Sequence, residues 1–227
     1  MALLLLLLGL LLLLYPSVSD LLNSRRQSQV LREYEQDLEA LEEGKREEML
    51  QKVRAYHRAL LGLPDRWQME EDLHRDYLAA LDPCGTGVMC RLEIPAIGLA
   101  LPVYHGTEPD VLQIALGHLE GSTLPVGGKG THCVITGHCG LPSARLFTDL
   151  HRLKEGDRFT LWTLGRPLRY ELSRISVVEP EDRSALAIEV EEDLCTLMTC
   201  TPYGVNSHRL LLTGKRIAET LDHFLEK

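Results

Sequence analysis

A chain of 227 residues is long enough for one well-buried domain with attachments. Its formal charge of −9 argues against nucleic acid, because a polyanion partner needs a basic face that the sequence does not offer. Phosphate-loop and dinucleotide patterns are absent too, so the sequence gives no site for a nucleotide cofactor.

In chain order, Leu3 to Leu14 form a low-complexity apolar run that ends at Tyr15-Pro16. The run is somewhat shorter than a bilayer span of about 20 residues. No small-residue cleavage site follows it, so residues 1–18 read as an uncleaved signal anchor. Arg25 and Arg26 lie on its C-terminal side, which the positive-inside rule would keep in the cytoplasm, so an exported domain requires basic residues ahead of the run. Residues 19–81 read as a helical stalk. From Asp20 to about Leu61 the pattern is helical, with Leu31, Tyr34, Leu38, Leu41, Met49 and Val53 on apolar spacing and an excess of acids between Glu33 and Glu48. A turn-rich break, Gly62-Leu63-Pro64-Asp65-Arg66-Trp67, separates it from a second helical stretch over Glu70 to Leu81.

Residues 82–217 alternate short β-branched runs with glycine and proline turns. The expected strands are Val88–Ile94, Leu99–Tyr104, Thr131–Thr136, Arg158–Leu164, Leu168–Val178, Leu194–Cys200 and Arg209–Arg216. Many short strands with few helices point to a mainly β closed barrel or sandwich. Residues 218–227 read as a C-terminal tail.

Two places carry chemistry. If Leu194–Cys200 and Arg209–Arg216 pair through the turn between them, Cys200 sits beside Arg209. A thiolate is the nucleophilic form of cysteine, and a fixed guanidinium can lower its pKa or hold an oxyanion. On these residues alone, a packed structural cysteine and a surface arginine fit equally well. His138, flanked by Gly137 and by Cys139-Gly140 at a strand exit, is the candidate general acid or base. Six cysteines allow disulfides, and Cys84 with Cys90 is the pair best placed by loop closure. The spacing of Cys84, Cys90, His132-Cys133 and His138-Cys139 fits no common zinc motif, and the chemistry calls for no metal or organic cofactor.

The stretch Thr196-Leu197-Met198-Thr199-Cys200-Thr201-Pro202-Tyr203-Gly204-Val205-Asn206-Ser207-His208-Arg209-Leu210-Leu211 closely resembles the active-site signature of the class C, or pilus, sortases. Thr136-Gly137-His138, Gly140-Leu141-Pro142-Ser143-Ala144 and Leu146-Phe147-Thr148-Asp149-Leu150 resemble the segment that carries the family's histidine. Glu93-Ile94-Pro95, Leu101 to Thr107 and Gly117 to Ser122 are similar to its early strands, so the likeness runs from about Tyr15 to about Ile217. It implies an eight-stranded sortase β-barrel.

The implied activity is cysteine transpeptidation. Cys200 would attack the threonine carbonyl of an LPXTG-like sorting signal, Arg209 would hold the oxyanion or orient the peptide, and His138 would move the protons. The acceptor would be a lysine of the next pilin subunit, on the extracellular face of a Gram-positive-type cell, with the enzyme held in the cell membrane by one N-terminal anchor. A cell-wall anchoring sortase or a thiol hydrolase would use the same residues, and a non-catalytic binder of sorting signals would have no need of all three. The resemblance also makes the loop around 62–68 a lid, with Asp65 meeting Arg209 and Trp67 covering Cys200. Arg66 stands where the family's lid commonly has proline, which implies a looser loop. Cys139 stands where a basic residue is common, which puts a second thiol beside the site and open to oxidation.

Overall fold

A computed structural model describes residues 1–217; the tail expected at 218–227 lies outside the described residues. Three helices come first: α1 (Ala2–Ala40), α2 (Glu43–Leu61) and α3 (Glu71–Ala79). α1 runs unbroken through Pro16, so the apolar run and the first part of the expected stalk form one helix. The single stretch expected from Asp20 to Leu61 is interrupted at Leu41, where the backbone turns extended (φ −75°, ψ 120°) and α2 begins. The expected apolar spacing is what docks both helices. Leu31, Tyr34 and Leu38 of α1 and Val53, Tyr56 and Leu60 of α2 are buried, while the acids between them face solvent.

Eight strands follow: β1 (Val88–Ile94), β2 (Leu99–His105), β3 (Leu116–His118), β4 (Thr131–Thr136), β5 (Arg158–Thr163), β6 (Arg166–Val178), β7 (Asp193–Thr201) and β8 (His208–Arg216). They close into a barrel in the order β1-β2-β3-β4-β7-β8-β6-β5. A short helix, α4 (Pro109–Leu112), precedes β3. Three-residue β3 lies outside the seven expected strands because Leu-Gly-His shows no alternation. Alternate residues of each strand fill the interior, as with Cys195 and Leu197 of β7 and Phe159 and Leu161 of β5, where Phe159 stacks on Tyr170 at 5.3 Å.

The cysteine expectation needs correcting. Cys84 and Cys90 are not bridged, and all six cysteines are free thiols. Cys90 is wholly buried inside the barrel near Cys133, whereas Cys84 lies outside against Asp37 of α1. Burial raises the thiol pKa of both, well above the usual range for Cys90 and to about 12 for Cys84.

Two histidines fasten the helices to the barrel, and both must stay neutral. Nε2 of His57 in α2 accepts the Leu124 amide at 2.8 Å, and burial pushes its pKa down to about 4. His118 of β3 lies with Nδ1 3.1 Å from the Tyr77 hydroxyl of α3 and Nε2 3.0 Å from both the Thr123 carbonyl and Ser122 Oγ, and burial pushes it down to about 3. In the unfolded chain both protonate near 6.5. Their contribution is therefore complete above pH 6.5 and is lost as pH falls from there toward 4 for His57 and 3 for His118. The expected result is a melting temperature that declines steadily below pH 6.5, together worth several kcal/mol. The acid slope should be shallower in His57→Gln, whose amide oxygen can still accept the Leu124 N–H; an unchanged slope would remove His57 from the account.

Candidate active site

Three neighbouring strands build the site. β4 and β7 are parallel, with Thr136 opposite Met198. The register is held past the end of β4, because Gly137 N donates to the Met198 carbonyl at 3.2 Å and Thr199 Oγ1 donates to the Gly137 carbonyl at 2.6 Å. One further step brings His138 level with Cys200. β7 and β8 are antiparallel, with Cys200 directly opposite Arg209. His138, Cys200 and Arg209 thus form one row across adjacent strands spaced about 5 Å apart, with the thiol in the middle.

Gly137 is required by close approach. A Cβ there would stand 2.5 Å from Leu116 Cδ2 and 3.1 Å from Phe147 Cδ2, and Phe147 is fully buried. The Phe147 amide donates to the His138 carbonyl at 3.0 Å, so the loop after the histidine folds back and fixes its backbone. His138, Cys200 and Arg209 are all half-buried, open enough for a substrate to reach. Arg209 Nη1 lies 3.2 Å from the His208 carbonyl and 3.4 Å from the Asn206 carbonyl. Cys139 lies near Cys200; burial first, then Cys200 and Asp149, raise its pKa, which disfavours its thiolate.

Strand alternation puts Cys200 on the same face as Met198 and Thr196, away from interior Cys195 and Leu197. The 62–68 segment lies against that face. Trp67 packs on a cluster made by Val134, Leu186 and Leu211, together with Met198, so it covers the row next to the one holding Cys200 and Arg209. Two guanidiniums lie over its indole, that of Arg66 4.3 Å from the ring centroid and that of Arg183 at 5.0 Å. It also rests on Gly121 (φ +88°), where a Cβ would come within 2.6 Å of the ring.

Arg66 ties the segment down instead of loosening it. Its Nη1 donates to the Gly121 carbonyl at 2.8 Å and its Nη2 to the Leu186 carbonyl at 2.5 Å. Asp65 does not meet Arg209: its carboxylate accepts the Trp67 amide and the Gln68 side chain, each at 3.0 Å, and so shapes its own loop. The sequence did not point to the residues that seat the 62–68 segment from below. Arg183 is one. His132 is another, bridging the Ala187 carbonyl at 2.8 Å and Thr196 Oγ1 at 2.7 Å beneath the loop that carries Leu186. Neither sits in a local motif that could have announced it. Among the described residues no group of three or more His, Cys, Asp or Glu is disposed to hold a metal.

Residues 92–217 match the family described as "Sortase domain". Among solved structures, the chain is similar to sortase C1 from Streptococcus agalactiae, with 40% identity and a TM-score of 0.81 over 85% of this chain and 100% of that one. It is similar to a lid mutant of sortase A from Corynebacterium diphtheriae, at 43% identity and a TM-score of 0.74 over 79% and 97% of the two chains. It is also similar to a Clostridium perfringens sortase C solved with the C-terminal cell wall sorting motif, at 34% identity and a TM-score of 0.73 over 84% and 99%. The matches to two curated relatives, both sortases, span 62% and 59% of their lengths. Sortases are cysteine transpeptidases, and the closed barrel of this chain is their fold. By the match over its barrel and by these structural likenesses, the chain belongs to the sortase family.

Proposed function

We propose that the chain is a class C sortase that cleaves LPXTG-like sorting signals and joins them to a pilin lysine. In this reading residues 1–18 anchor it in the cell membrane, 19–81 form a stalk bearing the lid, and 82–217 are the catalytic barrel on the extracellular face. The observation that carries the reading is the level row of His138, Cys200 and Arg209, with a tryptophan-bearing segment seated on the neighbouring row. The class C neighbours support it, as does the relative solved with a sorting motif.

The chemistry closes on these three side chains. Cys200 Sγ attacks the threonine carbonyl, and Arg209 faces the oxygen that gains charge. As the Thr–Gly bond breaks, His138 gives its proton to the departing glycine amine and a thioester remains. A lysine Nζ then attacks the thioester and passes its proton back to His138. An isopeptide bond forms and the cysteine is freed. Incubation with an LPXTG peptide and a purified pilin domain should yield an acyl-enzyme at the Cys200 peptide and a covalent peptide–pilin product. Hydrolysis alone, or transfer only to a peptidoglycan-type amine, would sink the pilus assignment.

The lid makes a second expectation. Two cation–π contacts hold Trp67, each worth about 0.5–1 kcal/mol at an exposed site. Asp65→Ala combined with Trp67→Ala removes both contacts and the carboxylate that shapes the loop, leaving only the Arg66 hydrogen bonds, so a small thiol reagent should modify Cys200 roughly 10-fold faster. Hydrolysis of the sorting peptide should rise with it. Labelling is to be read on the Cys200 peptide by mass spectrometry, since Cys84 and Cys139 are also partly exposed. Equal rates in variant and parent would mean that the segment is not a lid.

A further inference from the structure

α1 leaves the barrel at the catalytic end. Near its C-terminus, Tyr34 donates to the Met89 carbonyl at the start of β1, at 3.0 Å. Further back, Gln27 and Asn23 donate to the Ile114 carbonyl at 2.6 Å and 3.3 Å. Further still, Asp20 and Ser24 face the β1–β2 turn and the Arg145–Asp149 segment across a cleft of about 350 Å³. There Asp20 Oδ1 accepts the Arg145 amide at 2.9 Å, and Arg145 belongs to the loop that follows His138. Leu14, the last leucine of the apolar run, precedes Asp20 by six residues, about 9 Å along the helix. The run therefore projects beyond the end of the barrel where His138, Cys200 and Arg209 emerge.

That end also carries exposed apolar side chains. Tyr203 and Val205, on the β7–β8 turn, are 68% and 69% exposed, and the Tyr203 ring lies over Gly140 of the same loop that Asp20 holds. Val18, Leu21 and Leu22 bridge the helix between the run and the barrel, each more than half exposed. Arg25 and Arg26 are exposed on the same stretch, and the Arg145 and Arg152 side chains are 70% and 59% exposed on the neighbouring loop. Exposed charge lies at both ends: around Lys129, Glu191 and Arg166 at the opposite one, and at Glu179, paired with His208, beside the β7–β8 turn.

Resting on the reading of residues 1–18 as an anchor, we infer that the catalytic end of the barrel lies on the lipid surface, with Tyr203 and Val205 in the interfacial layer. A tyrosine with a wet hydroxyl and an apolar ring suits that layer. Arg25 and Arg26, with Arg145 and Arg152 beyond their pairing to Asp149, would meet anionic headgroups. Arg25 and Arg26, on the wrong side for a topology signal, have a use in such an arrangement. The Asp20–Arg145 contact sets the angle, because it joins the helix leaving the bilayer to the loop behind the candidate histidine.

The test uses the full chain in vesicles of phosphatidylcholine and phosphatidylglycerol, with and without bromine in the acyl chains. Val205→Trp adds a fluorophore at the proposed contact, and Lys129→Trp adds one at the far end. In brominated vesicles the emission added by Val205→Trp should be roughly halved, as expected for a side chain some 5–10 Å into the interface. The emission added by Lys129→Trp, and that of the parent, should not change. If the chain stays on the vesicles through a high-salt wash but Val205→Trp is not quenched, the barrel stands clear of the lipid and the inference fails alone. If the wash releases the chain, the anchor reading fails and the inference with it.

Discussion

Cys200→Ala is expected to abolish thioester formation, transfer and hydrolysis together, with the fold intact. Two other cysteines test the assignment. Cys195, on the same strand, points to the interior, is fully buried and lies beside Cys133 of β4. Cys195→Ala should therefore keep its activity and lose about 1 kcal/mol of stability, the usual cost of a small core deletion. Cys139 is the sharper control, because it is half-buried and near Cys200. Burial raises its pKa and so suppresses its thiolate. Cys139→Ala should thus retain acylation. An acyl-enzyme that persists in Cys200→Ala and vanishes in Cys139→Ala would transfer the nucleophile's role to the residue beside the histidine.

The parts of this molecule that the sequence revealed are those set by local pattern. Seven strands could be placed because β-branched runs alternate with glycine and proline, and the Cys200–Arg209 pair because a short turn fixes hairpin register. β3 escaped the pattern since three residues cannot show a period, and only the resemblance of Gly117 to Ser122 pointed to it; the break at Leu41 carries neither glycine nor proline at the bend itself. The level placement of His138 is a matter of the parallel β4–β7 pairing, which spans 62 residues of sequence and has no local signature. The 62–68 segment shows the limit most clearly. Read by itself, Asp65-Arg66-Trp67 is a turn with an aromatic. Its seat comes from Gly121, Arg183 and Leu186, all more than 50 residues away, and Arg66, which reads as a departure that loosens the loop, makes two of the hydrogen bonds that hold it.

Arg209→Lys is expected to lower the rate of acylation by orders of magnitude, as is His138→Ala, but for different reasons that the kinetics should separate. On the proposed assignment His138→Ala removes the proton carrier, which is worth roughly 100-fold to 10,000-fold. Because in that reading the leaving amine and the attacking lysine both depend on it, acylation and transfer should slow together. In Arg209→Lys the charge remains. What is lost is geometry: Arg209 already reaches the His208 carbonyl through Nη1 at 3.2 Å, and a guanidinium can keep such a backbone contact while turning another N–H toward the carbonyl oxygen opposite Cys200. A lysine ammonium is a point charge on a flexible stem and cannot hold both directions at once. The loss should therefore fall on kcat more than on KM, since the oxyanion exists only as Cys200 attacks. A rise in KM with kcat unchanged would make Arg209 a peptide-binding residue. Near-full activity in Arg209→Lys would reduce the arginine to a bulk positive charge beside the thiol.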